Sequence, residues 1–554
     1  MRRPNLIRST CSRKSERPFG VPRLRGPVRE ELEPPKGGTP NGAAGPGTFN
    51  LTAICGNRYV ASHVSLRPSP SAANPAPSKQ PNAITDRLNS IRDWLAGVFS
   101  SHEVDRDPRL KMILACLLSY YFLTFYFWWL SAVPLSTRGN EVFDYAPAAF
   151  FENLRWLVFM DNFQTKTYLY GLGMLALLGT FSLFYLRSSL LALCLLAFLF
   201  VNKTYFYLGD FRLFANYHHF HLFFSLVFLV SQSKLRFFRA ALVVGYVMSA
   251  VVKVSPSWLA GEYFNSLVDK LPLLPKVGWV VTAASLGVIA LEFLGPLCWF
   301  TGLTWLRRLS FITFILFHLY SGVVVGFWYT TLMLPMVVAA FLRFDRPLLA
   351  GYRYSRRHLP ALGILATVLL AGLYHFTIPG DVRLTGEGRY FGFFMFDANR
   401  QVRFETEIHK GNKVWMMLVY RPFRDNDDVG GADTNAVVSC KFYQDGRLVK
   451  NFPVTRPILD GEEVIFNPQF FVRADVRMYG NPYLYYFYAR ELVRRFHPDR
   501  VAIRLDVQLD GHSEVVRLLD IPDFAKLNPT YSSFTHNSWI TLPGTNSPPE
   551  YRWP

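Results

Sequence analysis

The chain has 554 residues, 50% of them hydrophobic, 16% aromatic and only 18% charged, with a formal balance of +19. Soluble domains carry about a quarter of their residues as Asp, Glu, Lys or Arg. So little charge cannot coat a water-facing surface of this size, which excludes an ordinary cytosolic globule or a disordered chain and points to an integral membrane protein.

Residues 1–85 read as a disordered, basic, Pro/Gly-rich tail with no apolar periodicity. The low-complexity run Pro34 to Gly42 is typical of it, and the tail is a candidate for spurious upstream translation. No basic segment leads into an apolar one, so a cleavable signal peptide is not expected. Residues 86–108 follow as an amphipathic lead-in at the membrane surface.

Residues 109–378 form a transmembrane domain. Its apolar runs are 110–134, 167–186, 188–203, 219–233, 240–253, 278–300, 309–326, 328–343 and 359–377, about nine transmembrane helices. With the N-terminus cytoplasmic, the inner loops are Arg187, Lys234 to Arg239, Arg307-Arg308 and the arginine-rich 343–357. Basic inner loops obey the positive-inside rule. The positive balance therefore reports topology and names the lipid bilayer, not nucleic acid, as partner. Residues 379–530 then change character. Val414–Tyr420, Val437–Phe442, Val464–Val472 and Val501–Leu509 are β-rich, and Pro482–Phe496 is an aromatic amphipathic helix. Residues 531–554 are a tail. The fold class is thus a polytopic α-helical membrane protein with a C-terminal β-rich (α+β) extracytoplasmic domain, periplasmic or lumenal.

Six cysteines are scattered with no CxxC spacing, so neither a disulfide framework nor a zinc site is expected. Ionisable residues inside a bilayer are the informative ones, because each costs several kcal/mol unless it is paired. Asn202-Lys203 ends the third run, and Lys203 alone reads plainly as a snorkelling membrane-edge lysine. His218, His219 and His221 open the fourth. His218 and His221 share a helix face, but no third ligand lies near, and a catalytic zinc needs three. No metal is expected, and interfacial hydrogen bonding is the plainer role. Lys253 ends the fifth run, with Trp258 after it as an interface anchor. An amine at such a dry edge gives up its proton more readily than in water and can serve as a base. Glu292 and His318 lie within the sixth and seventh runs, where Glu292 must be neutral or paired, with His318 or with a Lys from another helix.

These residues resemble the vitamin K-dependent γ-glutamyl carboxylase family and its bacterial relatives, the horizontally transferred transmembrane (HTTM) domain proteins. Lys253, Trp258 and Gly261 reproduce the spacing of the family signature. Asn202-Lys203, His218-His219-Phe220-His221-Leu222-Phe223, Glu292 with Pro296, Phe317-His318 and Arg477 to Pro482 follow in the same order. The resemblance spans residues 110–525. It implies that Lys253 deprotonates reduced vitamin K or a menaquinol-type quinol, and that oxygen converts the anion into a strong base. That base removes a γ-proton from a glutamate side chain, which then captures carbon dioxide. It further implies catalytic roles for His219 and His218 and quinol-binding roles for Lys203, Asn202, Trp258, Glu292 and His318, with an extracytoplasmic protein or peptide as substrate. The chain departs from the animal enzyme at Val252, where that enzyme has a second Lys, and at His218, where it has Asn. Cys440 has no evident partner for the family disulfide, and the outer domain is shorter. Two alternatives stand beside this expectation: a quinone-handling oxidoreductase that fixes no carbon dioxide, and a non-enzymatic transporter or lipid-binding scaffold. The enzymatic reading requires Lys203, His218, His219 and Lys253 to converge beside an apolar pocket.

Overall fold

The computed structural model describes residues 83–130, 162–209, 216–267, 271–325, 327–342, 346–389, 392–394, 400–421, 437–453, 458–461, 463–466, 480–510 and 514–542. Residues 1–82 and 131–161 lie outside them. Among the described residues, every apolar run read from the sequence is helical. The lead-in folds as α1 (Ala83–Val98) and α2 (Ser101–Arg106). The bundle follows as α3 (Pro108–Leu130), α4 (Asn162–Phe184), α5 (Ser189–Gly209), α6 (Asn216–Val230) and α7 (Lys234–Val251). Two short helices, α8 (Pro256–Ala260) and α9 (Glu262–Asn265), lead to α10 (Gly278–Leu297), α11 (Thr304–Val325), α12 (Phe327–Phe341) and α13 (Leu359–Leu373).

Local chemistry sets the helix ends. Pro108 occupies the first turn of α3, where its missing N–H costs nothing, and the Asp107 carboxylate accepts the Arg109 N–H at 2.9 Å. Glu103 of α2 accepts the Ser233 and Lys234 N–H groups at 2.9 and 2.8 Å, satisfying two orphan donors at the start of α7. The buried Lys234 ammonium turns back onto the Phe228 and Ser231 carbonyls at 2.5 and 3.1 Å, closing the end of α6.

Among the described residues, five stretches are long and apolar enough to cross a membrane: Pro108–Leu130, Lys166–Phe184, Ser189–Leu208, Gly278–Phe300 and Arg356–Thr377. The other four runs are helical but do not meet that measure. At 15 residues each, α6 and α12 reach only about 22 Å, short of the roughly 30 Å hydrocarbon core. Basic residues in the first turns of α7 and α11 lower their apolarity. The bundle packs α3 against α4 and α12, and α7 against α10, α6 and α13. Large apolar side chains stay exposed around it, among them Tyr170, Phe184, Leu316 and Leu370. A water-soluble bundle would bury them, whereas lipid tails accept them at no cost.

The C-terminal part holds β1 (Arg400–Lys410), β2 (Lys413–Arg421), β3 (Val437–Gln444), β4 (Arg447–Pro453), β5 (Ile458–Asp460), β6 (Glu463–Phe466), β7 (Arg500–Leu509) and β8 (Val516–Ile521). Six strands form one antiparallel sheet in the order β4-β3-β2-β1-β7-β8, and β5 pairs with β6. Central β1 alternates: Val402, Phe404, Thr406 and Ile408 are buried, with Phe404 opposite Val419 on one side and Leu505 on the other. The aromatic helix, α14 here (Pro482–Phe496), packs Tyr485 on Phe404 with ring centroids 4.3 Å apart. Asn481 caps it, its side-chain oxygen accepting the Tyr483 N–H at 3.0 Å.

Residues 531–542, expected as part of a tail, instead pack on this domain. Ile540 is buried, Trp539 stacks on Tyr486 at 5.4 Å, and the Thr541 N–H donates to the Leu518 carbonyl at 2.9 Å. The fully buried Glu387 carboxylate holds the segment, accepting the Asn537 backbone and side-chain N–H groups, each at 2.7 Å.

Candidate functional site

Lys253 follows the last turn of α7. Its ammonium reaches back to the Ser249 carbonyl at 3.2 Å, as a lysine closing a helix C-terminus does, and contacts the Glu292 carboxylate at 2.5 Å. The two side chains are 2% and 1% exposed, so neither snorkels to water. Glu292 reaches this point from the middle of α10. Pro296, four residues on, cannot donate to the Glu292 carbonyl, which loosens the helix ladder there.

Residues 256–267 and 271–274 fold back over this pair. Pro256 starts α8 and Gly261 ends it at φ +79°, the left-handed cap position. A Cβ on Gly261 would lie 2.8 Å from the Thr282 Cα of α10, so the close approach itself requires glycine. Ser285 Oγ donates to the Trp258 carbonyl at 2.6 Å, and Tyr320 OH donates to the Pro272 carbonyl at 2.8 Å. Trp258 stacks on Tyr263 at 4.8 Å, and the Lys253 Nζ sits 5.6 Å from a Trp258 ring centroid. Together with α10 and α11 these residues enclose a cavity of about 270 Å³. Leu267, Leu271, Val288, Phe317 and Val324 make its wall apolar, and Lys253, Glu292 and Tyr329 are among its few polar residues. Leu273, on its rim, is 95% exposed. The Trp258 indole N–H is buried and has no hydrogen-bond partner among the described residues.

His318 stands behind this wall. It hydrogen-bonds the Tyr246 hydroxyl at 2.5 Å, and its ring lies 5.5 Å from that of Tyr329, which lines the cavity. Among the described residues no hydrogen bond or ion pair joins it to Glu292. Of the two partners the sequence allowed for that carboxylate, the lysine of another helix is the one in place.

Lys203 and the histidines form a different cluster. Lys203 is fully buried and does not snorkel. Its ammonium donates to His221 Nδ1 at 2.7 Å and Thr124 Oγ1 at 3.1 Å, between the Tyr120 and Tyr121 rings at 5.3 Å each. His221 Nε2 lies 3.1 Å from the Leu117 carbonyl, which can only accept, so Nε2 carries the proton and Nδ1 accepts from Lys203. Asn202 accepts the Tyr168 hydroxyl at 2.5 Å. His218 packs among rings, 5.1 Å from Trp128 and 4.4 Å from Tyr217. His219 lies against Phe393 at 4.7 Å.

The expected convergence therefore divides in two. Among the described residues, no hydrogen bond or ring contact joins Lys203, His218 or His219 to Lys253. The reason is geometric: the end of α5 faces α3 and α6, whereas the end of α7 faces α10. Lys253, Glu292 and Trp258 share the cavity, while Lys203 and His218 belong to the packing of α3, α5 and α6, Asn202 ties α5 to Tyr168 of α4, and His219 packs on Phe393. The sequence reading passed over Tyr329, whose only signal is its place two turns before Pro335 in an apolar helix. Tyr246 opens the run that ends in Lys253, seven residues on, but the sequence offers no role for its hydroxyl. Among the described residues no three His, Cys, Asp or Glu side chains gather as a metal site.

The C-terminal β-rich domain reaches the same segment. Ser257, beside Trp258, donates a hydrogen bond to Asp510 at the end of β7, and Arg383 lies 3.8 Å from the same carboxylate. No family model, curated protein or solved structure matches the chain.

Proposed function

We propose that the chain is a nine-span membrane enzyme of the vitamin K-dependent γ-glutamyl carboxylase-like kind. It oxygenates a membrane quinol and uses the product to carboxylate glutamate side chains of an extracytoplasmic substrate. One observation carries this reading: a buried amine–carboxylate contact in the wall of an apolar cavity large enough for an aromatic ring.

The chemistry follows from the pair. Moving one proton from Lys253 to Glu292 turns ammonium–carboxylate into amine–carboxylic acid without changing the net charge, so it avoids burying an unpaired ion. The free amine then accepts the hydroxyl proton of a quinol seated in the cavity, and the ammonium formed holds the quinol anion by charge. Trp258 supplies a buried N–H that an oxygen of the bound ring satisfies. The apolar wall keeps water from the basic species that forms once oxygen reacts. Carbon dioxide is the second co-substrate. On this reading His219, His218, Lys203 and Asn202 hold the bundle rather than the reacting atoms.

Charge placement supports a cytoplasmic N-terminus and a periplasmic or lumenal β-rich domain. Arg236 and Arg239 begin α7 and Lys253 follows its end, about 26 Å away by helical rise. Arg106, Arg109 and Arg346 gather with the former and the outer domain with the latter. The test uses purified protein in nanodiscs with hydroquinone, labelled bicarbonate and a Glu-containing peptide. Wild type consumes quinol and labels the peptide, and Lys253→Ala does neither. Normal quinol turnover by Lys253→Ala would remove the base from the scheme. Turnover by wild type without label would favour a quinone-handling oxidoreductase.

A further inference from the structure

A second cavity, of about 620 Å³, lies where α2, the first turn of α3, the first turns of α7 and the segment 346–350 meet. Five arginines line it (Arg106, Arg109, Arg236, Arg239 and Arg346) against two acids, Glu103 and Asp107. Both acids are already engaged. Glu103 accepts the Ser233 and Lys234 N–H groups, and Asp107 is gripped by Arg109 at 2.8 and 3.0 Å. Arg236 donates to the Ala350 carbonyl at 3.0 Å, and Arg239 donates to the Ala340 carbonyl at 2.8 Å and adds its charge to that of Arg109 beside Asp107. Arg106 and Arg346 are exposed and make no hydrogen bond or ion pair among the described residues. The hollow therefore carries a positive excess in fork-shaped donors that match phosphate oxygens.

We propose that this cavity binds a phosphate group, and that the group is the head of an anionic phospholipid. The source follows from the neighbouring helix. On α1, Leu88, Ile91, Trp94 and Val98 recur every three or four residues and are 49–66% exposed, an apolar stripe left open among the described residues. Such a stripe, on the helix that leads into α2 and the basic hollow, lies in the head-group layer of a bilayer. A basic hollow between helices at that level holds a phospholipid head. The proposal is independent of the quinol reading, since it uses none of the residues around Lys253.

The test measures phosphatidylglycerol and phosphatidylcholine retained by the purified full chain in native mass spectrometry, with inorganic phosphate as a soluble competitor. Arg106→Gln/Arg346→Gln removes two unengaged, exposed arginines without disturbing the packing. Arg356→Gln/Arg357→Gln, outside the cavity lining, removes equal charge from the same basic segment. Retained phosphatidylglycerol should exceed phosphatidylcholine and fall at least about tenfold in the first variant, the size of a lost charge-assisted bond. It should fall little in the second. Displacement by millimolar inorganic phosphate supports the phosphate site but assigns it to a soluble ligand. Equal retention of the two lipids, or equal loss in both variants, overturns the proposal.

Discussion

Removing one partner of the Lys253–Glu292 pair should cost far more than removing both. Glu292→Leu leaves a buried ammonium with a single hydrogen bond among the described residues, to the Ser249 carbonyl, and Lys253→Met leaves a carboxylate at 1% exposure. Breaking a buried pair this way costs about 3–5 kcal/mol. The adjoining cavity lets a water approach the stranded charge, so about 3 kcal/mol is the better figure here. The double variant removes both desolvation penalties and fills the gap with apolar atoms. It should lie within about 1 kcal/mol of wild type, a coupling of roughly 5 kcal/mol. Unfolding in mixed micelles, followed by tryptophan fluorescence, measures all three. Quinol turnover should vanish in all three, including the stable double variant, which separates catalysis from folding. A double variant as unstable as the sum of the singles would refute the pairing, and one that still consumes quinol would refute its chemical role.

Gly261→Ala should destabilise by at least about 1–2 kcal/mol from the left-handed backbone alone, with more from the approach to Thr282, and should lower quinol affinity. Thermal unfolding and a quinol titration check it. His218→Phe should keep quinol turnover within about threefold of wild type, because the ring packs against Trp128 and Tyr217 and away from Lys253; a loss of 100-fold or more would return it to the reacting site. Burial pushes the Cys440 thiol up to about 12. Thiolate is the reactive form and grows only as pH approaches that value. Native protein should therefore resist iodoacetamide on Cys440 at pH 8 and react once unfolded, as peptide mass spectrometry would record. Glu387→Ala leaves the Asn537 and His536 donors without their acceptor and should cost about 2–4 kcal/mol, with earlier proteolysis after residue 530 as its readout.

The helices were legible because apolar runs bounded by Arg, Pro and Gly have few alternatives to helix. Pro482–Phe496 was legible to the residue, since Asn481 and Pro482 are start signals and the aromatic period is helical. β1 went unread although Val402, Phe404, Thr406 and Ile408 alternate: the charged residues between them disguise a central strand whose other face meets polar neighbours. β4 and β8 are short and part polar, and they take their form from the strands beside them. At the site, Lys253 and Glu292 stood out because a bilayer penalises each charge alone, but only the packing of α7 on α10 pairs them. Lys203 and the histidines stood out for the same reason, yet charge and spacing carry no information on which way a helix end faces. That direction placed His221, not His219, against Lys203.

Photolabelling separates the two clusters most directly. A photoreactive quinone analogue, incorporated in nanodiscs with the protein and displaced by excess quinol, should label peptides from Tyr263 to Leu274 and around Val288, the cavity beside Lys253. Label on peptides around Lys203 and His221, or label that excess quinol does not displace, would contradict the account.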